Sequence, residues 1–277
     1  MATQELGGTS RQSLAAARTA LDNALKGLST GDAAKFASDL FAVVAILDSS
    51  APLRRALTDS SREAKDKAAL VSELLAKSSS KSVVELVSSL VSVKWSRPSD
   101  LANAVEQLAI EAEASAANLA GELDRLEEEL FAFGRIVSSD SELRQSLSSS
   151  KYSSEGKRVL VAKLFGGKVS ASTARILGHL VSGLRGRNIE GTIAYYIKAT
   201  AARRDRVIAN IRSAVGLTDA QRGKLTEALT KKIGQPVRLN VEIDPTVIGG
   251  ISIRFADELI DATIVSRLAE ASRALAG

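Results

Sequence analysis

An internal repeat of 90 residues constrains this chain more than any other feature of its sequence. When the sequence is shifted by 90 positions, residues 40–97 align with residues 130–187 without a gap, and 19 of the 58 aligned positions are identical. Both copies keep apolar residues at helical spacing. A 90-residue unit is longer than the roughly 20–50 residues of a solenoid repeat, so the sequence predicts a duplicated helical domain.

The periodicity of apolar residues changes once along the chain. From Ser10 to Thr200 the period is helical, whereas residues 206–215, 237–243 and 251–255 alternate as half-buried strands do. A helix is predicted from Thr218 to about residue 233, and Asp261 is placed to cap a last helix. We therefore predict a mainly α protein, with a duplicated N-terminal helical bundle and a small C-terminal α+β domain of order βαββα.

Three domains follow from these patterns. Residues 1–115 are predicted to form the first helical copy, residues 116–204 the second, and residues 205–277 the small α+β domain. The segment from 99 to 137 has no Pro after residue 98 and only Gly121 and Gly134 as weak breakers, so it is expected to form one or two helices.

Composition excludes much catalytic chemistry. The chain has no Cys and a single histidine, His179, so Cys-based metal sites and histidine-rich catalytic sites are not expected. His179 lies among apolar residues on a helix and its repeat counterpart is Ser89, which favours a packed histidine over a catalytic one. Gly166-Gly167-Lys168 lacks the remaining residues of a nucleotide-binding loop. We expect no enzyme activity, no cofactor and no metal site.

Charge is unevenly distributed. Residues 101–130 carry eight acidic residues and one Arg, a net charge of −7, and a solvated surface is the favoured interpretation over a docking face for a basic partner. Residues 198–238 carry ten Lys and Arg against three acidic residues, a net charge of +7. Such a stretch suits nucleic acid, an anionic membrane or an acidic protein; with only ten aromatic residues in the chain, we favour the protein.

Direct insertion into a membrane is not expected. The longest uninterrupted apolar run, Leu40 to Leu47, is far shorter than the ~20 residues that span a bilayer, and the N-terminus has no signal-peptide pattern. Any membrane association is predicted to depend on partner chains.

The segment from Asp244 to Gly250 joins the last two predicted strands. Pro245 cannot donate to a strand ladder and Gly249-Gly250 permits unusual backbone angles, so the segment is interpreted as a turn that sets strand register. A phosphate cradle is disfavoured, because the segment enters a strand and a dinucleotide fingerprint opens a helix.

Several motifs of the last third together resemble a known family. They are Ala201-Ala202-Arg203-Arg204-Asp205, Leu217-Thr218-Asp219-Ala220-Gln221, the segment Asp244-Pro245-Thr246-Val247-Ile248-Gly249-Gly250, and the later residues Asp261 and Arg267. This set resembles the delta subunit of bacterial F-type ATP synthases, whose family includes the mitochondrial oligomycin sensitivity-conferring protein. The helical copies are similar to the family's N-terminal bundle, including an Arg near the start of its fifth helix, here Arg97 and Arg187.

The resemblance implies a peripheral-stalk role without catalysis. The family's subunit joins the N-terminal segments of the alpha subunits to the b-type stalk subunits, peripherally, at the cytoplasmic face of the membrane. Helical grooves accept amphipathic partner helices. The candidate interface residues are Leu14, Ala17 and Leu21, with Val105 and Leu108 opposite, and Arg203 and Arg204 in the basic stretch. For the apolar five, bundle core is the alternative. A nucleic-acid-binding adaptor that uses the +7 stretch is the alternative function.

The duplication departs from the ordinary family pattern. An ordinary delta subunit has one helical bundle, whereas this chain resembles the enlarged delta region of actinobacteria, which also occurs fused behind a membrane-anchored b-type segment. No such segment precedes the repeat, so a free-standing enlarged subunit is expected.

Overall fold

The computed structural model describes residues 7–204, 208–218, 221, 223, 225, 228, 229, 238–244, 250–255 and 258–263. The chain divides into two compact units, Met1–Arg203 and Arg204–Gly277. The boundary predicted between residues 115 and 116 falls inside one helix of the first unit, and the division of the helical region at that point stays a prediction.

Eleven helices precede the first strand in the described part of the chain. They are α1 (Gly8–Leu25), α2 (Thr30–Ser49), α3 (Ala51–Thr58), α4 (Ala64–Leu75), α5 (Lys81–Ser92), α6 (Pro98–Leu119), α7 (Leu123–Ser139), α8 (Ser141–Ser148), α9 (Ser154–Phe165), α10 (Ala171–Ser182) and α11 (Ile189–Arg204). The mainly α prediction is confirmed.

The 90-residue shift maps helices onto helices. It carries α2, α3, α4, α5 and α6 onto α7, α8, α9, α10 and α11, and for α3, α4 and α5 both ends coincide. The helix pair α4–α5 packs in the first copy as α9–α10 packs in the second. The duplication read from the sequence is therefore a duplication of a five-helix unit, and α1 precedes it.

A hydrogen bond of the first copy has a counterpart 90 residues later in the second copy. The backbone N–H of Ser80 donates to Asp39 Oδ2 at 3.1 Å, and that of Ser170 donates to Glu129 Oε2 at 2.9 Å. Each bond satisfies an N–H at the start of a helix, α5 or α10, where intrahelical acceptors are missing. The two copies thus fix the start of these helices by the same contact, with Asp in one and Glu in the other.

Helix α6 lies at the centre of the helical unit. Sixteen of its residues are buried, and it packs against α1, α2, α3, α5, α7 and α10. Its surface is rich in Ala, which lets neighbouring helices approach closely on every side. A helix buried all round is a core element, so α6 ties the two copies together.

The segment from 99 to 137 forms two helices. The break between α6 and α7 contains Gly121, whose φ of 71° lies in the left-handed region that favours glycine. The weak breaker seen in the sequence at residue 121 is therefore the real boundary, and Gly134 lies inside α7.

The second unit contains a four-stranded sheet in its described part: β1 (Ile208–Ser213), β2 (Arg238–Ile243), β3 (Gly250–Phe255) and β4 (Glu258–Thr263), in the order β2-β1-β3-β4. β1 and β2 are parallel, and a parallel pair needs a crossover. Of the described residues between them, 221, 223, 225, 228 and 229 are helical, and Thr218 and Gln221 cap that helix reciprocally, with N–H to side-chain oxygen distances of 2.9 and 3.3 Å. The antiparallel partner of β1 is β3, which buries Ile253 beside the buried Ile211.

The fourth strand corrects the predicted order βαββα. Asp261, expected to cap the final helix, lies in β4 and pairs with Ser252 of β3. The sequence Glu258-Leu259-Ile260-Asp261 has no clean alternation, and antiparallel pairing with β3 decides its conformation, a contact that local pattern does not report. Residues 264–277, where the last helix was predicted, lie outside the described residues.

Candidate partner-binding surfaces

The five apolar interface candidates are all buried. Leu14, Ala17 and Leu21 form the inner face of α1, and Val105 and Leu108 belong to the central helix α6. All five are members of one core cluster of the helical unit. The side chains therefore hold α1 against α6, and contact with a partner stays a prediction for these positions.

Arg203 is paired inside the helical unit. Its guanidinium forms a close ion pair with Asp22 of α1, so the last turn of α11 is fixed to the first helix. Of the two basic candidates, Arg203 thus has a structural contact 181 residues away in sequence. The side chain of Arg204 lies outside the described part.

The motif residues of the second unit are only partly described. The backbone N–H of Asp244 donates to the carbonyl of Ser213 at 2.9 Å, which ties the end of β2 to the end of β1. Gly250 begins β3 and pairs with Thr263. Pro245, Ile248, Gly249 and Arg267 lie outside the described residues, so the turn interpretation of that segment stays a prediction.

Four carboxylates of α6 are buried and paired. Asp100, Glu106, Glu111 and Glu113 are each at most 1% exposed. Interpretation of this part of the acidic segment as solvated surface is therefore wrong. The sequence contained a signal that was missed, namely the angular position of each glutamate around the helix axis. Glu106 and Glu113 share one face of the helix, whereas Glu111 is turned about 140° away from Glu106. Acidic residues on two faces of an otherwise apolar helix cannot form a single solvated face.

Each of these glutamates meets an arginine from a different helix or loop. Arg18 of α1 binds Glu111 with Nη2 at 2.7 Å, and Arg175 of α10 binds Glu113 with Nη2 at 2.6 Å and Nε at 3.1 Å. Glu111 therefore faces α1, and Glu113 faces the second copy. Because a buried charge without a partner is costly, these pairs fix the positions of α1 and of the second copy on α6.

Glu106 lies at the centre of a polar cluster where the first copy meets the second. Arg187 Nη2 lies 2.6 Å from Glu106 Oε1, and the Tyr196 hydroxyl donates to the same oxygen at 3.3 Å. Arg185 lies on the other side, with Nε 3.6 Å from Glu106 Oε2 and Nη1 3.0 Å from Asp48 of α2. Two arginines of the second copy are thus inserted against two carboxylates of the first.

The pKa shifts of this cluster follow from burial and from the pairing. Burial raises the pKa of Asp48, although the charge of Arg185 opposes that shift. Burial tends to lower the pKa of Arg187, but the hydrogen bond to Glu106 and the negative charge of that residue together outweigh burial, so the guanidinium pKa is raised. Burial and the neighbouring Glu106 raise the pKa of Tyr196 well above its usual value. Arg187 therefore keeps its charge and Tyr196 its phenol proton at physiological pH.

Arg185 has a special backbone conformation. Among the described residues it is the non-glycine residue with positive φ, 53°, and Gly186 follows with φ 78°. Such a conformation persists where surrounding contacts hold it. Here Arg185 Nη2 also donates to Asn103 Oδ1 at 3.0 Å, so the loop from 183 to 188 is held on the first copy through its arginine.

His179 is a packing residue of the same joint. Its ring stacks on Phe41 of α2 with centroids 3.8 Å apart and planes 8° from parallel. Burial, with the nearby charges of Arg158 and Arg175, lowers its pKa to about 4. The neutral ring packs between the copies, in agreement with the packed histidine favoured by the sequence.

A groove of about 540 Å³ opens between α7 and α11 of the second copy. Phe131, Gly134, Ile193, Ala194 and Ile197 supply its apolar lining, and Arg135 and Glu190 also line it. A Cβ at Gly134 would meet Ile193 Cγ2 at 3.2 Å, so glycine allows α11 to approach α7. Phe131 is 56% exposed.

Neither a metal cluster nor a single membrane-spanning helix is found among the described residues. Within that part of the chain, no three His, Asp or Glu side chains lie where they could hold a metal ion together. No single helix of the described ranges has the length and apolar composition to cross a bilayer; α2 and α3, bent by 106° at their junction, meet that criterion only as a pair.

Comparison with known proteins decides the family. The family model described as ATP synthase delta (OSCP) subunit matches residues 110–275. A Streptomyces griseus protein named ATP synthase subunit delta is 44% identical over 272 residues, which are 98% of this chain and 100% of the relative. The chain belongs to the ATP synthase delta (OSCP) subunit family. A Thermobifida fusca protein of the same name is 42% identical over 270 residues, 98% of this chain and 99% of the relative.

The comparisons also locate the extra copy of the delta subunit fold. The family model begins inside α6, so its match covers the second copy and the C-terminal unit, and most of the first copy lies outside it. The actinobacterial relatives match over almost their full length and therefore share the enlarged form. A chain of the Toxoplasma gondii mitochondrial ATP synthase hexamer covers 61% of this chain with 18% identity and a TM-score of 0.28, which carries no structural argument.

Proposed function

We propose that this delta subunit is a non-catalytic connector of the peripheral stalk, which links the alpha/beta head of an F-type ATP synthase to its b-type subunits. The observation that carries the proposal is the match, at 44% identity over 98% of the chain, to a relative named ATP synthase subunit delta. In this role the chain transmits holding force at the cytoplasmic face of the membrane and is attached there through its partners.

Buried contacts in the helical unit support the stiffness that such a connector needs. Its two copies meet at buried ion pairs centred on Glu106 and Glu113 and at the Phe41–His179 stack, and Glu111 holds α1 on α6. Breaking one partner of a buried pair costs about 3–5 kcal/mol, so bending at this joint is opposed by several such contacts at once. These contacts support transmission of force between the copies.

For the alpha-subunit N-terminal segment we propose the outer side of α1. Leu14, Ala17 and Leu21 are buried beneath it and hold the helix in place. Ala15, Ala16 and Thr19 face outward, and such small side chains allow an amphipathic partner helix to approach closely. For the b-type subunits we propose the second unit, residues 205–277, with the basic stretch around Arg204 directed to an acidic partner.

Two binding measurements separate these assignments. The full chain is titrated with a purified alpha/beta head and, separately, with the soluble part of the b-type subunits. Ala16→Asp is expected to weaken the first interaction and leave the second unchanged, and deletion of residues 205–277 to abolish the second alone. Equal binding of the deleted chain to the b-type subunits would refute the second assignment.

The nucleic-acid alternative makes a different prediction. An adaptor that uses the +7 stretch would bind DNA or RNA with an affinity that falls steeply as salt is added. Absence of a complex in a gel-shift assay at low salt would dispose of it. Family membership favours the connector.

A further inference from the structure

The outer surface of α9 differs in charge from the repeat-related surface of α4. Under the 90-residue shift, residues 59–79, which contain α4, correspond to residues 149–169, which contain α9. The first segment carries four acidic and four basic residues and is neutral, whereas the second carries five Lys and Arg against one acidic residue, a net charge of +4. Each acidic residue of the first segment is replaced in the second; the pairs are Asp59 and Ser149, Glu63 and Ser153, Asp66 and Gly156, and Glu73 and Lys163. The second copy therefore presents a basic surface where the first presents a balanced one.

The cations of the second segment have few carboxylates near them. Its one acidic residue, Glu155, lies 2.6 Å from Arg158. Lys151 and Lys163 are exposed, and no carboxylate of the described residues forms an ion pair with either of them. The segment 59–79, by contrast, contains two ion pairs of its own. The surface of α9 therefore carries positive charge that the chain itself does not balance.

Helix α9 also exposes apolar side chains between its cations. It packs against α10, and Val161 is the one buried residue among its twelve described residues. Val159 is 43% exposed and Ala162 is exposed, and a spacing of three residues makes them neighbours on the outer side of the helix. At 100° per residue, Arg158 lies at one edge of this apolar stripe and Lys163 at the other.

The chemistry of this face selects one class of partner. Cations at both edges are complementary to the acidic side chains of an amphipathic helix whose apolar stripe packs on Val159 and Ala162. Nucleic acid is disfavoured, because binding by stacking uses several aromatic rings and Tyr152 is the one exposed aromatic residue of the segment 149–169. An anionic membrane is disfavoured as well, because helices that insert among lipid headgroups present bulky apolar side chains there, and these two are small.

We propose that the outer face of α9 binds an acidic amphipathic helix of a partner protein. The partner packs its apolar stripe on Val159 and Ala162 and places carboxylates along the edges formed by Arg158 and Lys163. This surface involves neither α1 nor residues 205–277, to which partners are assigned above, and it does not depend on the proposed function.

The test is photo-crosslinking in cells that contain the partners of this chain. Val159 of the full chain is replaced by the photoreactive p-benzoylphenylalanine, and adducts formed on irradiation are mapped by mass spectrometry. The matched control carries the same probe at Ala69, the exposed repeat counterpart on α4.

Two further chains test the charge requirement. The first combines the probe at position 159 with Lys163→Glu, which introduces the acidic residue that the first copy has at the same place. The second combines that probe with Lys77→Glu, the same charge change at an exposed lysine of the neutral segment.

The expected adduct joins residue 159 to a protein helix that has Asp or Glu beside an apolar stripe. Lys163→Glu is expected to reduce the yield of this adduct about tenfold, because it places like charges together, and Lys77→Glu to leave the yield unchanged. The melting temperatures of the chains should agree, since the substituted side chains are exposed.

Three kinds of result would overturn the proposal. The first is an adduct to lipid, to nucleic acid, to a second copy of this chain or to a helix without acidic residues. The second is a yield at residue 159 no higher than at residue 69. The third is a yield that Lys163→Glu leaves unchanged or that Lys77→Glu lowers equally.

Discussion

Phe41 and Phe131 occupy the same place in the two copies and have opposite environments. The first is buried under His179 of the second copy, and the second is exposed in the groove between α7 and α11. Duplication supplied two equivalent faces, and packing of one copy on the other used one of them. The face around Phe131 stays exposed in the part of the helical unit that the structure describes.

The largest expected difference in the free energy of unfolding is between alanine variants of the two phenylalanines. Phe41→Ala removes a buried ring and its stack on His179, and we expect a loss of about 3–5 kcal/mol in the free energy of unfolding. Phe131→Ala removes an exposed ring and should cost less than about 1 kcal/mol. Urea unfolding of the two variants measures both values. Equal losses would contradict the asymmetry of the two faces.

Ion pairs at repeat-related positions sharpen the comparison. Arg175 pairs with the buried Glu113, whereas its counterpart Glu85 pairs with Lys81 at 3.6 Å on the surface. Glu113→Ala leaves a charge at the joint without its partner, and we expect about 3 kcal/mol of destabilisation. Glu85→Ala should cost less than about 0.5 kcal/mol. Double-mutant cycles with Arg175→Ala and Lys81→Ala give the coupling energies of the two ion pairs. A large coupling energy for the exposed pair, or a small one for the buried pair, would contradict this prediction.

Acidification should weaken the joint in a defined pH window. The pKa of His179 is lowered to about 4 from an ordinary value of 6.5, so the unfolded chain binds a proton there that the folded chain does not. Stability is therefore complete above pH 6.5 and falls as the pH decreases towards 4, by about 2 kcal/mol for this partly exposed ring. His179→Ser, which installs the repeat counterpart Ser89, should remove that part of the slope between pH 6.5 and 4. An unchanged slope would show that His179 titrates normally in the folded chain.

Alanine substitutions at two glycines in repeat-related positions should give the smallest changes in stability. Gly121 has a φ of 71°, and Gly31 lies in the first turn of α2 without positive φ. Gly121→Ala is expected to cost about 1 kcal/mol, and Gly31→Ala to gain a few tenths, because alanine favours helix and disfavours left-handed backbone. Thermal unfolding should show a lower melting temperature for Gly121→Ala and a higher one for Gly31→Ala. A change of the same sign in both variants would contradict the helix break assigned to Gly121.

The helical architecture could be predicted because its information is local or repeated. Helical spacing, the weak breaker Gly121 and the 90-residue identities such as Leu53-Arg54 with Leu143-Arg144 all lie in the sequence. The structure confirms the fold class and the duplication, and the comparisons confirm the family resemblance carried by the C-terminal motifs. Strand β4 was not predicted, because its conformation depends on pairing with β3 and its own sequence does not alternate between apolar and polar residues.

The buried ion pairs of α6 could not be predicted in the same way. Glu106, Glu111 and Glu113 resemble solvated residues until Arg187, Arg18 and Arg175 are brought to them from distant positions. The available signal was their distribution over two faces of an apolar helix. The exposure of Phe131 could not be predicted either. Its repeat counterpart Phe41 is a buried core residue, and only the packing of one copy on the other makes the two environments differ.

Coupling in membrane vesicles tests the central claim most directly. Vesicles are stripped of this subunit, and respiration-driven ATP synthesis is measured before and after the purified full chain is added back. A connector of the peripheral stalk predicts that stripping abolishes ATP synthesis while ATP hydrolysis by the catalytic head continues, and that the added chain restores synthesis. ATP synthesis that proceeds at the original rate in stripped vesicles would contradict the account.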